Sequence, residues 1–80
     1  MSPIQIVRMI EKDQKGLRVI GVFEFGSDYL VSYSKNGATL LDPFYLVSKD
    51  GKKISAFNPS MDPIGFSNKV GKRPLYLRAN

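Results

Sequence analysis

Apolar residues along this chain change their spacing near Gly16, and the change divides a helical segment from a β-rich remainder. Before it, Ile6, Val7 and Ile10, with Met9 beside them, share one broad helical face. Ser2-Pro3-Ile4-Gln5 reads as a capping box. Ser2 can accept from the Gln5 amide, the Gln5 side chain can reach back, and proline is tolerated at the first helical position. The spacing therefore predicts a helix from Pro3, with Met1 and Ile6 at hydrophobic-staple positions, Glu11 and Lys15 paired four apart on its outer side, and Gly16 as its stop. A strand over Ile4-Gln5-Ile6 fails at Val7, where alternation breaks.

After Gly16, Leu17 to Phe25 and Tyr29 to Tyr33 are rich in β-branched and aromatic residues and flank the turn chemistry of Gly26-Ser27-Asp28. They predict a first hairpin, whose pairing register the pattern leaves open. Its first strand has apolar groups on both faces (Leu17, Val19, Phe23 and Phe25 against Ile20 and Val22), so it belongs in the interior of a sheet. Gly21 inside it marks a bulge or a close backbone approach. Lys35-Asn36-Gly37-Ala38-Thr39 follows as a loop, and Leu40-Leu41 then need cover from the core or a partner.

Asp42 to Phe57 predicts a second hairpin around Asp50-Gly51. A two-residue loop would set Val47 opposite Ile54 and Leu46 opposite Ser55, mixing apolar and polar groups on both faces. A three-residue loop, Lys49-Asp50-Gly51, places Gly51 in the left-handed region and sets Leu46 opposite Ile54 and Phe44 opposite Ala56. One face is then wholly apolar, so this register is preferred. It leaves Tyr45, Val47, Lys53, Ser55 and Phe57 on a mixed, partly exposed face.

Asn58-Pro59-Ser60-Met61 ends the strand, and Asp62-Pro63 repeats the cap-then-proline logic of the N-terminus. A short helix to about Lys69 would set Phe66 and Val70 four apart, with Gly65 weakening it. Leu75-Tyr76-Leu77 alternates after Pro74 and reads as an edge strand or a packed tail. The expected fold is one α+β domain over residues 1–80: an N-terminal helix on a mainly antiparallel four-stranded meander, then a short helix and a C-terminal extended segment or edge strand.

A chain of 80 residues buries only about 60% of its unfolded surface, which leaves room for a single core of modest stability. Its 42% hydrophobic content favours a folded globule over a disordered tail. The absence of cysteine removes disulfides and thiolate metal sites and fits a cytoplasmic location. No apolar run reaches the length of a membrane span, and the N-terminal segment, with Arg8, Glu11 and Lys12, is unlike a signal peptide. No membrane partner is expected. The net charge of +5 lies wholly in residues 49–80, which hold seven basic and two acidic groups, whereas residues 1–48 are balanced. A basic half invites an acidic partner or nucleic acid, and it also serves solubility.

With no histidine and no cysteine, the commonest general base, the thiolate nucleophile and the usual transition-metal ligands are missing. Glu11 and Asp13 lie two apart on the helix and off a shared face, while Glu24, Asp28, Asp42 and Asp62 sit beside turns or caps. The glycines form no phosphate-binding fingerprint. No catalytic residue, metal ligand or cofactor is therefore expected. Tyr29, Tyr33, Tyr45, Phe57 and Tyr76, set among Lys52, Lys53, Lys69, Lys72 and Arg73, have the composition of a platform that stacks single-stranded bases. Against that, a chain this small needs its rings for its core.

The order helix, hairpin, hairpin, with the segment Phe44-Tyr45-Leu46-Val47-Ser48-Lys49-Asp50-Gly51-Lys52-Lys53-Ile54, resembles PepSY-like modules. It is similar also to the small immunity-type proteins that accompany bacterial polymorphic toxins. In both groups a helix precedes strands and a late Asp-Gly or Thr-Gly turn, and the resemblance covers residues 2 to 60. It implies a binder or inhibitor of another protein in a bacterial or mobile-element setting. The chain departs from a typical PepSY protein in having no export signal, so an extracellular peptidase-regulating role is not expected. The function expected is a non-enzymatic protein-binding module, such as a stoichiometric inhibitor, immunity factor or phage-encoded modulator. Tyr45, Lys52, Lys53, Phe57, Lys69, Lys72 and Arg73 would meet an acidic surface on the partner. The alternative is a small basic nucleic-acid-binding protein.

Overall fold

A computed structural model describes residues 1–35 and 44–78. The loop expected over Lys35 to Thr39 beyond its first residue, the need of Leu40-Leu41 for cover, and the turn role of Asp42 lie outside the described residues. Helix α1 (Pro3–Asp13) is followed by strands β1 (Leu17–Phe25), β2 (Asp28–Lys35), β3 (Phe44–Ser48) and β4 (Ile54–Phe57). A single 3₁₀ turn (Pro59–Met61), helix α2 (Pro63–Lys69) and strand β5 (Val70–Leu77) complete the chain. The strands form one antiparallel five-stranded sheet in the order β4-β3-β2-β1-β5. The fold is α+β, and the C-terminal alternation is a strand that pairs with β1 at the far edge of the meander.

Helix α1 begins as its sequence dictates: Ser2 Oγ accepts from the Gln5 amide and Gln5 Oε1 accepts from the Ser2 amide. It buries Ile6, Val7 and Ile10. The short α2 is capped in the same manner, with Asp62 Oδ1 accepting from the Gly65 amide at 3.0 Å.

Strand β1 carries a bulge between Val19 and Gly21 that the sequence grouping of its side chains did not include. Leu17 and Val19 face α1, Ile20 is the extra residue and points outward, and Val22 resumes the inward row opposite Val31. Phe23 and Phe25 are thereby moved to the opposite face, so they do not share a side with Leu17 and Val19 as simple alternation implied. Two apolar layers result. On the α1 side, Ile6, Val7, Ile10, Leu17, Val19, Val22, Tyr29, Val31 and Val47 form the main core. On the other side Phe25, Phe44 and Phe57 gather around Phe66 of α2, with ring centroids 5.2–6.2 Å apart.

The second hairpin adopts the register that its own face pattern disfavoured. Val47 pairs with Ile54, Leu46 with Ser55, Tyr45 with Ala56 and Phe44 with Phe57. The deciding contacts lie on the other flank of β3, where Tyr45 and Val47 align with Val31 and Tyr29 and must face α1. Val47, expected on a half-exposed surface, is completely buried, and Ser55 opposite Leu46 is tolerated because it is exposed on the edge strand β4. Gly51 does hold a positive φ of 77°, and its amide donates to the Ser48 carbonyl at 2.9 Å.

Glu11 and Lys15 do not pair, because α1 ends at Asp13. Glu11 instead turns toward the sheet, where Oε2 accepts from the Val19 amide at 2.9 Å and from Arg78 Nη2 at 2.6 Å, while Arg78 Nε donates to the Val19 carbonyl. One carboxylate thus ties α1, β1 at its bulge and the end of β5. Glu11→Ala should lower unfolding free energy in urea by about 1.5–3 kcal/mol, since a charged donor, the Arg78 guanidinium, and the Val19 amide both lose their acceptor. Glu11→Gln keeps an acceptor and should cost about 1 kcal/mol or less. Equal losses for the two variants would show that the Val19 amide does not depend on this side chain. Separately, Gly51→Val should cost about 1–3 kcal/mol, because its backbone is left-handed and an added Cβ would overlap Met1 Sδ; an unchanged thermal midpoint would contradict this.

Candidate interaction surface

The loop between β3 and β4 is tied by a local network. Ser48 Oγ donates to Asp50 Oδ1 at 2.6 Å, the Lys52 amide donates to the same oxygen at 2.9 Å, and the Lys53 amide donates to Ser48 Oγ at 3.0 Å. Lys49 leaves this loop to pair with Glu24 and to lie over the Tyr29 ring, 4.2 Å from its centroid. The amino group of Met1 donates to the Lys49 carbonyl and Tyr29 Oη donates to the Met1 carbonyl, so the start of α1 rests on the same loop. Lys52 and Lys53 are left exposed beside β4.

The sequence-expected contact residues are not brought onto one surface. Tyr45 faces α1, stacked on Tyr33 with centroids 4.3 Å apart, and its hydroxyl lies 3.3 Å from Gln14 Oε1. Phe57 belongs to the phenylalanine layer on the opposite side. Val70, Phe25, Asp28 and Ser48 form one rung across the sheet. Ser48 in turn meets Lys53, its amide donating to the Lys53 carbonyl. Lys53 and Lys69 therefore lie toward the same end of the sheet, but four strand spacings, roughly 19 Å, separate the two edges. Lys52 and Lys53 flank the β4 edge, whereas Lys72 and Arg73 lie on β5 at the other. The aromatic platform is likewise dispersed: Tyr29 is buried, Tyr33, Tyr45 and Tyr76 pack against the main core, and Phe57 packs with Phe66.

What the sequence reading missed is the difference between the two edges. Strand β5 is defended: Pro74 offers no amide, its pairing with β1 shifts register twice, and Lys72 and Arg73 are exposed along it. Strand β4 carries no proline, no bulge and no charge between Ile54 and Phe57. Because the Ser48 amide bonds the Lys53 carbonyl, the ladder alternates so that Ser55 and Phe57 address β3 while the amides and carbonyls of Ile54 and Ala56 point away from it. Among the described residues nothing pairs with them. Ile54 is also 44% exposed. The signal was present in the contrast between Ile54-Ser55-Ala56-Phe57 and Lys72-Arg73-Pro74, had both been recognised as edges.

Among the described residues no group of three or more acidic side chains converges on a point that could hold a metal ion, and no polar or charged residue is buried. Among the described residues no helix is long and apolar enough to cross a membrane. No family model matches the chain, and comparison with curated proteins and with solved structures finds no match.

The loop network has a measurable electrostatic consequence. The hydrogen bond from Ser48, followed by that from the Lys52 amide, holds the Asp50 carboxyl below its ordinary value. A depressed carboxyl favours the folded state above the unfolded pKa, and that contribution disappears as pH falls through the folded value. Carboxyl ¹³C titration should place Asp50 below an ordinary aspartate, and Ser48→Ala should move it back up. An Asp50 midpoint insensitive to Ser48 would exclude the hydroxyl as the cause.

Proposed function

We propose that this protein is a non-enzymatic, stoichiometric protein-binding module, of the inhibitor or immunity-factor kind found in bacterial and mobile-element settings, and that it adds an extended partner segment to β4. The single observation that carries this reading is the undefended edge at Ile54 and Ala56, placed directly beside Lys52 and Lys53. Main-chain hydrogen bonds to Ile54 and Ala56 supply affinity. Ile54 on one side, and Ser55 with Phe57 on the other, give the incoming strand side-chain contacts that alternate. The two lysines select a segment with carboxylates next to its paired stretch. Lys69, Lys72 and Arg73 lie too far across the sheet to touch that segment and act through the long-range positive field. The lack of histidine and cysteine supports a binding role over a catalytic one. Dispersal of the tyrosines into packed positions weighs against base stacking.

Selection of extended peptides from a random display library on the purified protein should enrich acidic, β-prone sequences. Ala56→Pro removes an outward amide while leaving the β3 ladder whole, so it should abolish capture with little change in thermal midpoint; Ile54→Lys is a second edge-blocking variant. Lys52→Glu with Lys53→Glu should slow association steeply at low salt. Peptides that bind equally to both edge-blocked variants would reject the β4 site. Association of the free protein with itself through β4 at micromolar concentration, or capture of oligonucleotides lost on nuclease treatment, would reject the acidic peptide as partner.

A further inference from the structure

On the face of the sheet away from α1, outside the phenylalanine layer, Arg18, Ile20, Ser34, Leu77 and Arg78 line an open cavity of about 550 Å³, within the range of roughly 300–1,000 Å³ usual for small-ligand sites. The bulge in β1 creates it. By inserting Ile20 the strand turns an apolar side chain outward, 42% exposed, beside Leu77, which is 64% exposed. Arg18 stands across from Ser34 on the same face. Among the described residues neither the Arg18 guanidinium nor the Ser34 hydroxyl has a hydrogen-bond or ion-pair partner. Arg78 differs, for its guanidinium is held by Glu11 and the Val19 carbonyl. Among the described residues no carboxylate lines the cavity, and its uncompensated positive charge belongs to Arg18.

We infer that this cavity binds a small apolar monocarboxylate, with the carboxylate on Arg18 and Ser34 and the hydrocarbon chain over Ile20 and Leu77. A planar guanidinium matches a carboxylate with paired hydrogen bonds, and the hydroxyl of Ser34 adds a further donor. Two exposed aliphatic side chains give the chain of the ligand a surface that removes both from water. A free acid fits better than the carboxyl end of a peptide. The neighbouring edge is β5, where Pro74, two register shifts and the Lys72-Arg73 pair prevent an extended backbone from pairing alongside. The site is separate from the β4 edge and does not depend on the partner proposed there.

Titration of ¹⁵N-labelled protein with sodium octanoate, kept below its micelle concentration, tests the assignment. Saturable shifts should appear at the amides of Arg18, Ile20, Ser34 and Leu77. Octanol, which keeps the chain and loses the charge, should bind at least about tenfold more weakly, the effect of losing one charge-assisted pairing. Arg18→Gln should weaken octanoate by a similar factor without changing the thermal midpoint, since Arg18 holds nothing else in place. Leu77→Ser should weaken octanoate and octanol alike. The inference is overturned if octanol matches octanoate, if Arg18→Gln binds as the unaltered protein does, if shifts are spread over the surface or do not saturate, or if a leucine-terminated peptide acid binds more tightly than octanoate.

Discussion

The extra residue at Ile20 is the constraint on which the rest of this structure depends. A strand without it would place Val19 and Phe23 on one side, and no single layer could then be both the aliphatic seat for α1 and the floor beneath α2. With it, the first part of β1 gives Leu17 and Val19 to the helix, and the last part gives Val22 to that side and Phe23 and Phe25 to the other. Gly21 makes the adjustment feasible, because its surroundings are close: an added Cβ would meet the Phe23 ring at 3.2 Å and the Tyr76 carbonyl at 3.4 Å. The same bulge leaves the Val19 amide to be claimed by a side chain, which Glu11 supplies.

Two-sided burial gives the aromatic residues a chemical division of labour. Tyrosines occupy the α1 side and phenylalanines the α2 side. The tyrosine side has polar groups from the N-terminal segment and the end of α1 within reach, so that Tyr29 meets the Met1 carbonyl and Tyr45 meets Gln14. The phenylalanine side is covered by a seven-residue helix offering Phe66 as its contact, and rings without hydroxyls lose nothing there. For so short a chain, covering both faces is also a way to remove more apolar surface than one helix could.

Local chemistry was legible in the sequence; pairing was not. The caps at Ser2 and Asp62, the positive φ at Gly51 and the strand character of Leu17 to Phe25 follow from residue type and near neighbours, and each was readable. The register of the second hairpin is not contained in the pattern of its own two strands. The choice belonged to Tyr29 and Val31 on β2, which fix the side that Tyr45 and Val47 must face, while β4 at the edge has little burial with which to oppose them. The side-chain grouping of β1 differs for a related reason: Gly21 signals a bulge, and a bulge re-phases every later residue by one position. Helical spacing points Glu11 to Lys15, whereas its partner, Arg78, lies 67 residues away along the chain. Sequence proximity groups the basic residues, and a sheet whose last strand returns to the far edge separates them.

The asymmetry of the edges is an argument about selection against self-pairing. An exposed strand with free amides and carbonyls and an aliphatic side chain such as Ile54 is a hazard for any soluble chain, and β5 carries three separate devices against it. Strand β4 carries none between its ends. Its protection comes from outside the paired stretch, in Lys52 and Lys53, which repel another basic surface at a distance and yield to an acidic one. A charge placed on the strand would block every partner, whereas a charge placed beside it discriminates among them. On the binding role proposed for β4, the net positive charge concentrated in residues 49–80 would keep copies of the molecule apart while leaving the backbone at Ile54 and Ala56 open to a segment of opposite sign.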